Sequence, residues 1–394
     1  MVIGINGYEA AVPRFGFDKE TGLPNRVGSS EFCFQLLTAL SIIDKKNEYF
    51  IYLPTNPASD MPKEERNWHY VVFSSIKLWT LLGLSKKLFS DRNKIDVFFS
   101  PTHYLPLYVP CPSVISILDV SYLHFPKLFK KKDLYQLKLW GRYSIGKAKK
   151  IITISKASKN DIIKAYGVSE DKVVVVCPGI KSEIQNSKSE TNTKLKMQNS
   201  KSLKEKFGID KEFILFVGTL QPRKNIGKLI EAFSRLKTQD LRLKTDLELI
   251  IVGKKGWMYE DILNAPKKFG IADRVKFLDS VTDEDLPSFY KNAICFVLPS
   301  LYEGFGLPIL EAMKYGCPVI TSNVSSLPEA GGDAAVYFNP ESVEDIAEKI
   351  EKVISSEKLR QEMVKKGYEQ VKKFSWEKTA RETLKVLQEL SIKK

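Results

Sequence analysis

A chain of 394 residues with 43% apolar and 27% charged side chains has the length for two globular domains and an ordinary globular balance. Its five cysteines (Cys33, Cys111, Cys177, Cys295, Cys317) lie far apart without a C-x-x-C pair, which argues against a disulfide framework or a zinc site and fits buried thiols in a reducing compartment. The opening MVIGINGYEA lacks a basic, then long apolar leader, and no window of ~18 apolar residues occurs, so the expected location is cytoplasmic.

Along the chain, short β-branched runs alternate with amphipathic stretches. Strands are predicted at Val2–Asn6, Tyr49–Leu53, Tyr70–Phe73, Ile95–Ser100, Ser113–Asp119, Lys150–Ser155 and Lys172–Cys177. The formal charge of +14 is concentrated in this half: Lys127–Lys164 carries twelve Lys/Arg and two acids. Further strands are predicted at Phe213–Gly218, Leu247–Gly253, Val275–Val281, Ile294–Ser300, Pro318–Ser322 and Ala335–Phe338. Runs such as ILFVG and LIIVG are apolar throughout, as strands covered on both faces require. Asn225–Leu236 and Val343–Ile354 carry apolar residues at helical spacing. Strand–helix alternation over the whole length implies parallel sheets with right-handed crossovers, hence two doubly wound α/β domains.

The predicted domains are 1–180 and 206–375, with a final segment 376–394. Between them, residues 181–205 repeat QNSKS, hold no aromatic residue and are rich in Ser, Asn, Thr and Lys. Such a stretch cannot bury enough apolar area to offset its ordering entropy, and is predicted to be a loose linker or insertion.

Two strings carry chemistry. In Ser300-Leu-Tyr-Glu303-Gly304-Phe305-Gly306-Leu307-Pro308-Ile-Leu-Glu311, a strand ends, a glycine turn follows, and Pro308 sits in the first helical turn. Backbone N–H groups and the helix dipole make such a terminus an anion site, and Gly304 and Gly306 admit a close backbone approach. Glu303 and Glu311 would repel a diphosphate if aimed at it, so they read as hydroxyl acceptors, one for a sugar and one for a ribose. In Val217-Gly218-Thr219-Leu220-Gln221-Pro222-Arg223-Lys224-Asn225, two cations follow a buried strand, where open α/β sheets bind ligands. Arg223 and Lys224 would neutralise a diphosphate and stabilise it as a leaving group. Taken singly, either string reads as an acidic helix start or a solvated basic loop.

Together the strings resemble the retaining GT-B glycosyltransferases of family 4. Glu303 and Glu311 match that family's E-x7-E motif, and Pro222–Asn225 its PRKN element. Asn25-Arg26-Val27-Gly28-Ser29 is similar to its N-terminal glycine loop, Ile151–Ile162 to its "iitvS..s..di" segment, and Phe374-Ser375-Trp376 to its closing "fsW" element. The resemblance covers nearly the whole chain. It implies two Rossmann-like domains facing across a cleft, with a last helix returning to the N-terminal one. It also implies a donor site of Gly28, Gly304, Phe305, Gly306, Leu307 and Glu311, and catalytic roles for Glu303, Arg223, Lys224 and Asp119. The family often has His-Asp where this chain has Leu118-Asp119, and Arg where Thr219 stands. His103 and His124 are the candidates to bring an imidazole to the cleft, against the alternative of plain surface or structural histidines.

The activity implied is transfer of a hexose, mannose or glucose type, from a GDP- or UDP-linked sugar to a glycan or lipid-linked acceptor, with retention. No D-x-D, H-E-x-x-H or clustered His/Cys set occurs, so neither metal nor other cofactor is expected. A nucleotide-sugar epimerase or a phosphorylase of the same architecture is the alternative enzyme. The basic stretch, with Lys130-Lys131-Lys132 beside Phe125, Leu128 and Phe129, fits either simple solubility or an anionic membrane surface as partner. It lacks interleaved stacking aromatics and no DNA-reading motif stands out, so nucleic acid is not expected.

Overall fold

The computed structural model describes residues 1–12, 16–17, 22–75, 78–180, 203–236, 247–279 and 281–391. The expected linker therefore lies almost wholly outside the described residues. The chain forms two compact units, Met1–Gly179 with Phe374–Lys394, and Ile180–Lys373.

In the first unit, strands β1 (Val2–Asn6), β2 (Glu48–Leu53), β3 (Trp68–Val72), β4 (Val97–Ser100), β5 (Ser113–Ser116), β6 (Lys150–Thr153) and β7 (Val173–Val175) form a sheet of order β3-β2-β1-β4-β5-β6-β7. In the second, β8 (Phe213–Val217), β9 (Glu248–Val252), β10 (Val275–Leu278), β11 (Cys295–Leu298), β12 (Val319–Ser322) and β13 (Ala335–Phe338) take the order β10-β9-β8-β11-β12-β13. All of these pairs are parallel, with registers such as Ile5 opposite Ile51 and Leu215 opposite Ile250. Central strands such as β4, β5, β9 and β11 are buried along their whole length, which the continuous apolar runs require. Each strand expected from the sequence is present, several one to three residues shorter. β5 ends at Ser116 rather than Asp119, because the chain turns there into a short helix, Ser121–His124.

Both sheets are doubly wound, and each reverses direction once. The chain leaves β1 toward one side and returns to place β4 on the other; β8 and β11 repeat this. The loops beyond the carboxyl ends of these two pairs are where such folds bind ligands.

The last helix, Trp376–Ser391, belongs to the first unit. The Trp376 ring meets Phe32 of the Ser29–Ile43 helix edge-on at 5.7 Å, and the Thr379 hydroxyl donates to the Cys177 carbonyl at 2.8 Å. A Cβ on Gly179 would lie 2.1 Å from the Trp376 backbone nitrogen, so this crossing needs glycine. Among the described residues, no helix is long and apolar enough to cross a membrane.

Candidate functional site

The two strings recognised in the sequence leave adjacent strands of the second sheet. Residues 218–225 follow β8 and residues 299–306 follow β11, the pair that flanks the reversal. The turn after β8 is packed tightly: a Cβ on Gly253, after β9, would lie 2.0 Å from the Gly218 carbonyl oxygen. Leu220 continues the sheet in a parallel bridge to Lys255. Pro222–Lys224 then forms one 3-10 turn. Asn225, left-handed at φ +56°, opens the Ile226–Ser234 helix and is anchored by its Nδ2, which donates to the Pro340 carbonyl at 2.9 Å.

That turn is joined to the second string at several points. The Leu301 N–H donates to the Arg223 carbonyl at 2.9 Å, and the Arg223 guanidinium donates to the Tyr302 carbonyl. Arg223 Nη1 lies 3.2 Å from Glu303 Oε2, and Lys224 Nζ lies 2.5 Å from Glu303 Oε1. The Ser300 hydroxyl donates to the same Oε1 at 2.6 Å. Glu303 is 8% exposed. Burial by itself would push its carboxyl up, but Lys224, Arg223 and the donated hydrogen bonds outweigh this and hold it down at about 2. Glu303 is therefore a permanent carboxylate, an acceptor of hydrogen bonds and no proton donor. The sequence treated this glutamate and the two cations as separate groups; the structure makes them one ion-paired cluster.

Gly306, at φ +103°, caps the Leu307–Lys314 helix, with Pro308 in its first turn. That φ favours glycine, and a Cβ there would also sit 2.9 Å from Leu327 Cδ2, which would have to shift. Phe305 is buried, 2% exposed. Gly304 is buried, Leu307 half-buried. Glu311 sits one turn into this helix, half-buried, and accepts from the Tyr290 hydroxyl at 3.1 Å. Tyr290 is wholly buried; burial first, then the Glu311 carboxylate, pushes its phenol far above its ordinary range, so it stays a donor.

Sequence reasoning missed Tyr290 and two further residues. The Ser325 and Ser326 hydroxyls donate to the Glu303 carbonyl at 2.6 and 2.8 Å, and the Glu303 N–H returns a bond to Ser325 Oγ at 3.3 Å. Ser325 is left-handed at φ +57°, a strained state for a non-glycine residue, here held by those bonds. The sequence signal was the SNVSS turn after β12, which passes for an ordinary loop.

The remaining candidates lie in the first unit. Gly28, at φ +58°, caps the Ser29–Ile43 helix, with no other atom within 4 Å of where a Cβ would stand. Its loop is fixed from behind. Arg26 pairs with Asp60, lies 4.0 Å over the Phe34 ring and donates to the Ala10 carbonyl at 2.8 Å. His103, beyond β4, and Asp119, beyond β5, meet directly: His103 Nε2 is 3.3 Å from the Asp119 carbonyl oxygen. The Asp119 carboxylate accepts from the Ser121 N–H at 2.9 Å. His124 instead engages Asp161 of the Lys156–Tyr166 helix, at 3.1 Å on an exposed face. Among the described residues, no three His, Cys, Asp or Glu side chains gather as a metal site would need.

Two doubly wound sheets, the second with a helix N-terminus beyond its point of reversal, are the class of α/β framework that binds ligands at the carboxyl ends of its strands. The model for glycosyl transferases group 1 matches residues 199–370, and that for glycosyltransferase family 4 matches residues 48–183. O-antigen chain mannosyltransferase B of Escherichia coli is 33% identical over 313 residues, 78% of this chain and 78% of that protein. The serotype-specific mannosyltransferase WbdA of Escherichia coli is 32% identical over 273 residues; this is 68% of the chain but only 32% of that longer protein. Among solved structures, WaaG, a glycosyltransferase involved in lipopolysaccharide biosynthesis, matches with a TM-score of 0.69 at 18% identity, over 98% of this chain and 99% of its own. HepE of Anabaena, solved with UDP-glucose, matches at 0.70 and 17% identity over 99% of this chain and all of its own, 100%. These distant likenesses concern the fold. The chain belongs to the GT-B glycosyltransferases of family 4.

Proposed function

We propose that this enzyme moves a hexose, of mannose or glucose type, from a GDP- or UDP-linked sugar to a hydroxyl of a glycan or lipid-linked acceptor, with retention at the anomeric carbon. The observation that carries the reading is the Arg223–Lys224–Glu303 cluster beside the Leu307–Lys314 helix N-terminus, with Glu311 one turn further on. Two cations and a helix dipole suit a diphosphate without a metal ion. The half-buried Glu311, with one oxygen held by Tyr290, suits a ribose hydroxyl. Glu303, ionised at any working pH, suits a sugar hydroxyl and cannot protonate the leaving group. The leaving phosphate then takes the acceptor's proton on the same face while Arg223 and Lys224 hold its charge. Acceptor recognition is assigned to the carboxyl edge of the first sheet, with His103 and Asp119. The mannosyltransferase names of two relatives and the UDP-glucose named with HepE support a hexosyl nucleotide as donor.

The test is incubation with GDP-mannose, UDP-glucose and ADP-glucose, with nucleoside diphosphate release and anomeric configuration as readouts. Release from one donor, rising with an alcohol acceptor and giving a product of unchanged configuration, is expected. Inertness toward every donor, or an inverted product, overturns the reading.

A further inference from the structure

The loop after β12 emerges beside the loop after β11, because the two strands are neighbours in the second sheet. It carries two serines that forgo their ordinary local roles. Ser325 takes a left-handed backbone at φ +57°, which glycine or asparagine adopts far more readily. Ser326 occupies the N-cap of the Leu327–Gly331 helix, where a serine side chain ordinarily accepts from the helix N–H groups, yet it gives that helix no side-chain bond. Both hydroxyls are directed instead to one acceptor, the Glu303 carbonyl, at 2.6 and 2.8 Å. A carbonyl oxygen has two lone pairs, and here both are taken. Ser326 is wholly buried and Ser325 half-buried.

Those bonds fix the orientation of two successive peptide groups. Among the described residues no peptide bond is cis, and a trans peptide sets its C=O and N–H antiparallel. In the Tyr302–Glu303 peptide the N–H donates to Ser325 Oγ at 3.3 Å, so the Tyr302 carbonyl points the other way, where it accepts from the Arg223 guanidinium. In the Glu303–Gly304 peptide it is the carbonyl that meets the serines, so the Gly304 N–H points away from them. The Tyr302 carbonyl and the Gly304 N–H therefore face one side, that of Arg223. The Glu303 carboxylate meets Arg223 and Lys224 as well. Ser325 is the residue that touches both peptides, accepting from one and donating to the other.

A loop that had only to pack would do so with glycine at position 325, free of strain. The strained backbone is kept together with a hydroxyl that glycine lacks, and strain of this kind persists where the surroundings over-determine it. We propose that Ser325 is a positioning residue for the transfer: with Ser326 it turns the Gly304 N–H toward the donor's diphosphate, as a third hydrogen-bond donor beside Arg223 and Lys224. Its ligand is the donor of the proposed function, on which this assignment rests. A backbone N–H held in place beforehand needs no reorganisation as charge develops on the departing phosphate. It is also directional, where a lysine ammonium is a point charge on a flexible stem. Ser325 acts through Gly304 rather than on the donor itself.

Two substitutions separate this role from plain packing. Ser325→Ala removes the hydroxyl and keeps the left-handed strain, whereas Ser325→Gly removes the hydroxyl and relieves it, so the glycine variant should melt at the higher temperature of the two. Titration calorimetry with inorganic pyrophosphate measures the anion site, and initial rates with the donor that the parent enzyme uses give kcat and KM. Both variants should bind pyrophosphate more weakly by about tenfold or more, and both should lose kcat by a similar factor, whatever their order of stability. Donor KM should change less than kcat, because the bond strengthens as the phosphate gains charge. The proposal is overturned if the parent protein binds no pyrophosphate, or if Ser325→Gly binds it as the parent does. It is equally overturned if the losses follow the melting temperatures, the alanine variant impaired and the glycine variant not. Weaker donor binding with unchanged pyrophosphate binding also overturns it, since the N–H would then serve the sugar. The pyrophosphate measurement needs no turnover, so a parent protein inert toward every nucleotide sugar would remove the transferase reading and leave that comparison to decide the role of Ser325.

Discussion

Replacing Glu303 with Gln keeps the side chain's size and removes the charge between Arg223 and Lys224. In the folded protein this carboxyl sits at about 2 against an ordinary 4.5. Burial opposes ionisation, and the two cations and the Ser300 hydroxyl more than reverse it. The gap corresponds to about 3 kcal/mol of folding stability, on the order of what breaking a buried ion pair costs. A depressed carboxyl stabilises above its unfolded value and loses that contribution as pH falls through its folded one. The contribution is thus complete above about 4.5 and fades toward 2. Glu303→Gln should therefore be weaker by about 3 kcal/mol near neutrality, and its deficit should shrink as the pH is lowered through that window. Urea unfolding by circular dichroism gives the stability, and amide hydrogen exchange in β8 and β11 places the loss beside the cluster. A deficit under about 1 kcal/mol near neutrality, or one constant across the acid window, would refute the ion-pair account.

On the proposed function, Tyr290→Phe leaves the packing and removes one hydrogen bond to the Glu311 carboxylate, so donor KM should rise by about tenfold or more with kcat little changed. An equal loss in kcat, or none in either constant, would show that Tyr290 does not position Glu311. On the proposed function, EDTA should leave turnover intact, whereas Lys224→Ala should lower it by about 100-fold or more; abolition by EDTA with rescue by a divalent cation would contradict the metal-free reading.

Elements whose cause is local were legible. ILFVG and LIIVG could be placed as central strands because they are short, β-branched and closed by glycine, and Val343–Ile354 could be placed as a helix from its spacing. The glycine turn before Leu307 was legible because Pro308 is favoured in the first turn of a helix and Gly306 tolerates the left-handed φ its cap takes. Strand ends were less so: β10 stops at Leu278, before the polar Asp279, although the strand was predicted to run on to Val281. The partners of the site residues were hidden. Tyr290 and Glu311, or Ser325 and Glu303, stand about twenty positions apart, and nothing in either segment names the other. Arg223 and Glu303 are 80 positions apart and meet because the sheet order sets β8 beside β11. The Lys131–Lys147 helix was legible as charge, but which apolar residues turn inward was not: Phe129 beside it is half-buried and Leu139 on it is exposed.

On the proposed function, the ion-paired cluster changes what donor binding must accomplish. Arg223 and Lys224 are already partnered by Glu303, so an arriving diphosphate shares cations rather than meeting bare ones. Two cations and one carboxylate leave a single excess positive charge, to which the helix N-terminus adds a partial one. A nucleoside-diphosphate sugar brings two negative charges on its phosphates, and the departing nucleoside diphosphate carries a further one as the glycosidic bond breaks. A fixed, largely buried positive site therefore gains more from the product, and from the transition state that leads to it, than from the donor. On the proposed function the free nucleoside diphosphate should bind more tightly than its sugar conjugate and inhibit competitively with it. The preference should depend on Lys224, whose Nζ is the cation nearest Glu303. In Lys224→Ala, titration calorimetry should show product affinity falling further than donor affinity, closing the gap between them. If both fell by the same factor, Lys224 would bind ground and transition states alike, and its assignment to leaving-group stabilisation would fail.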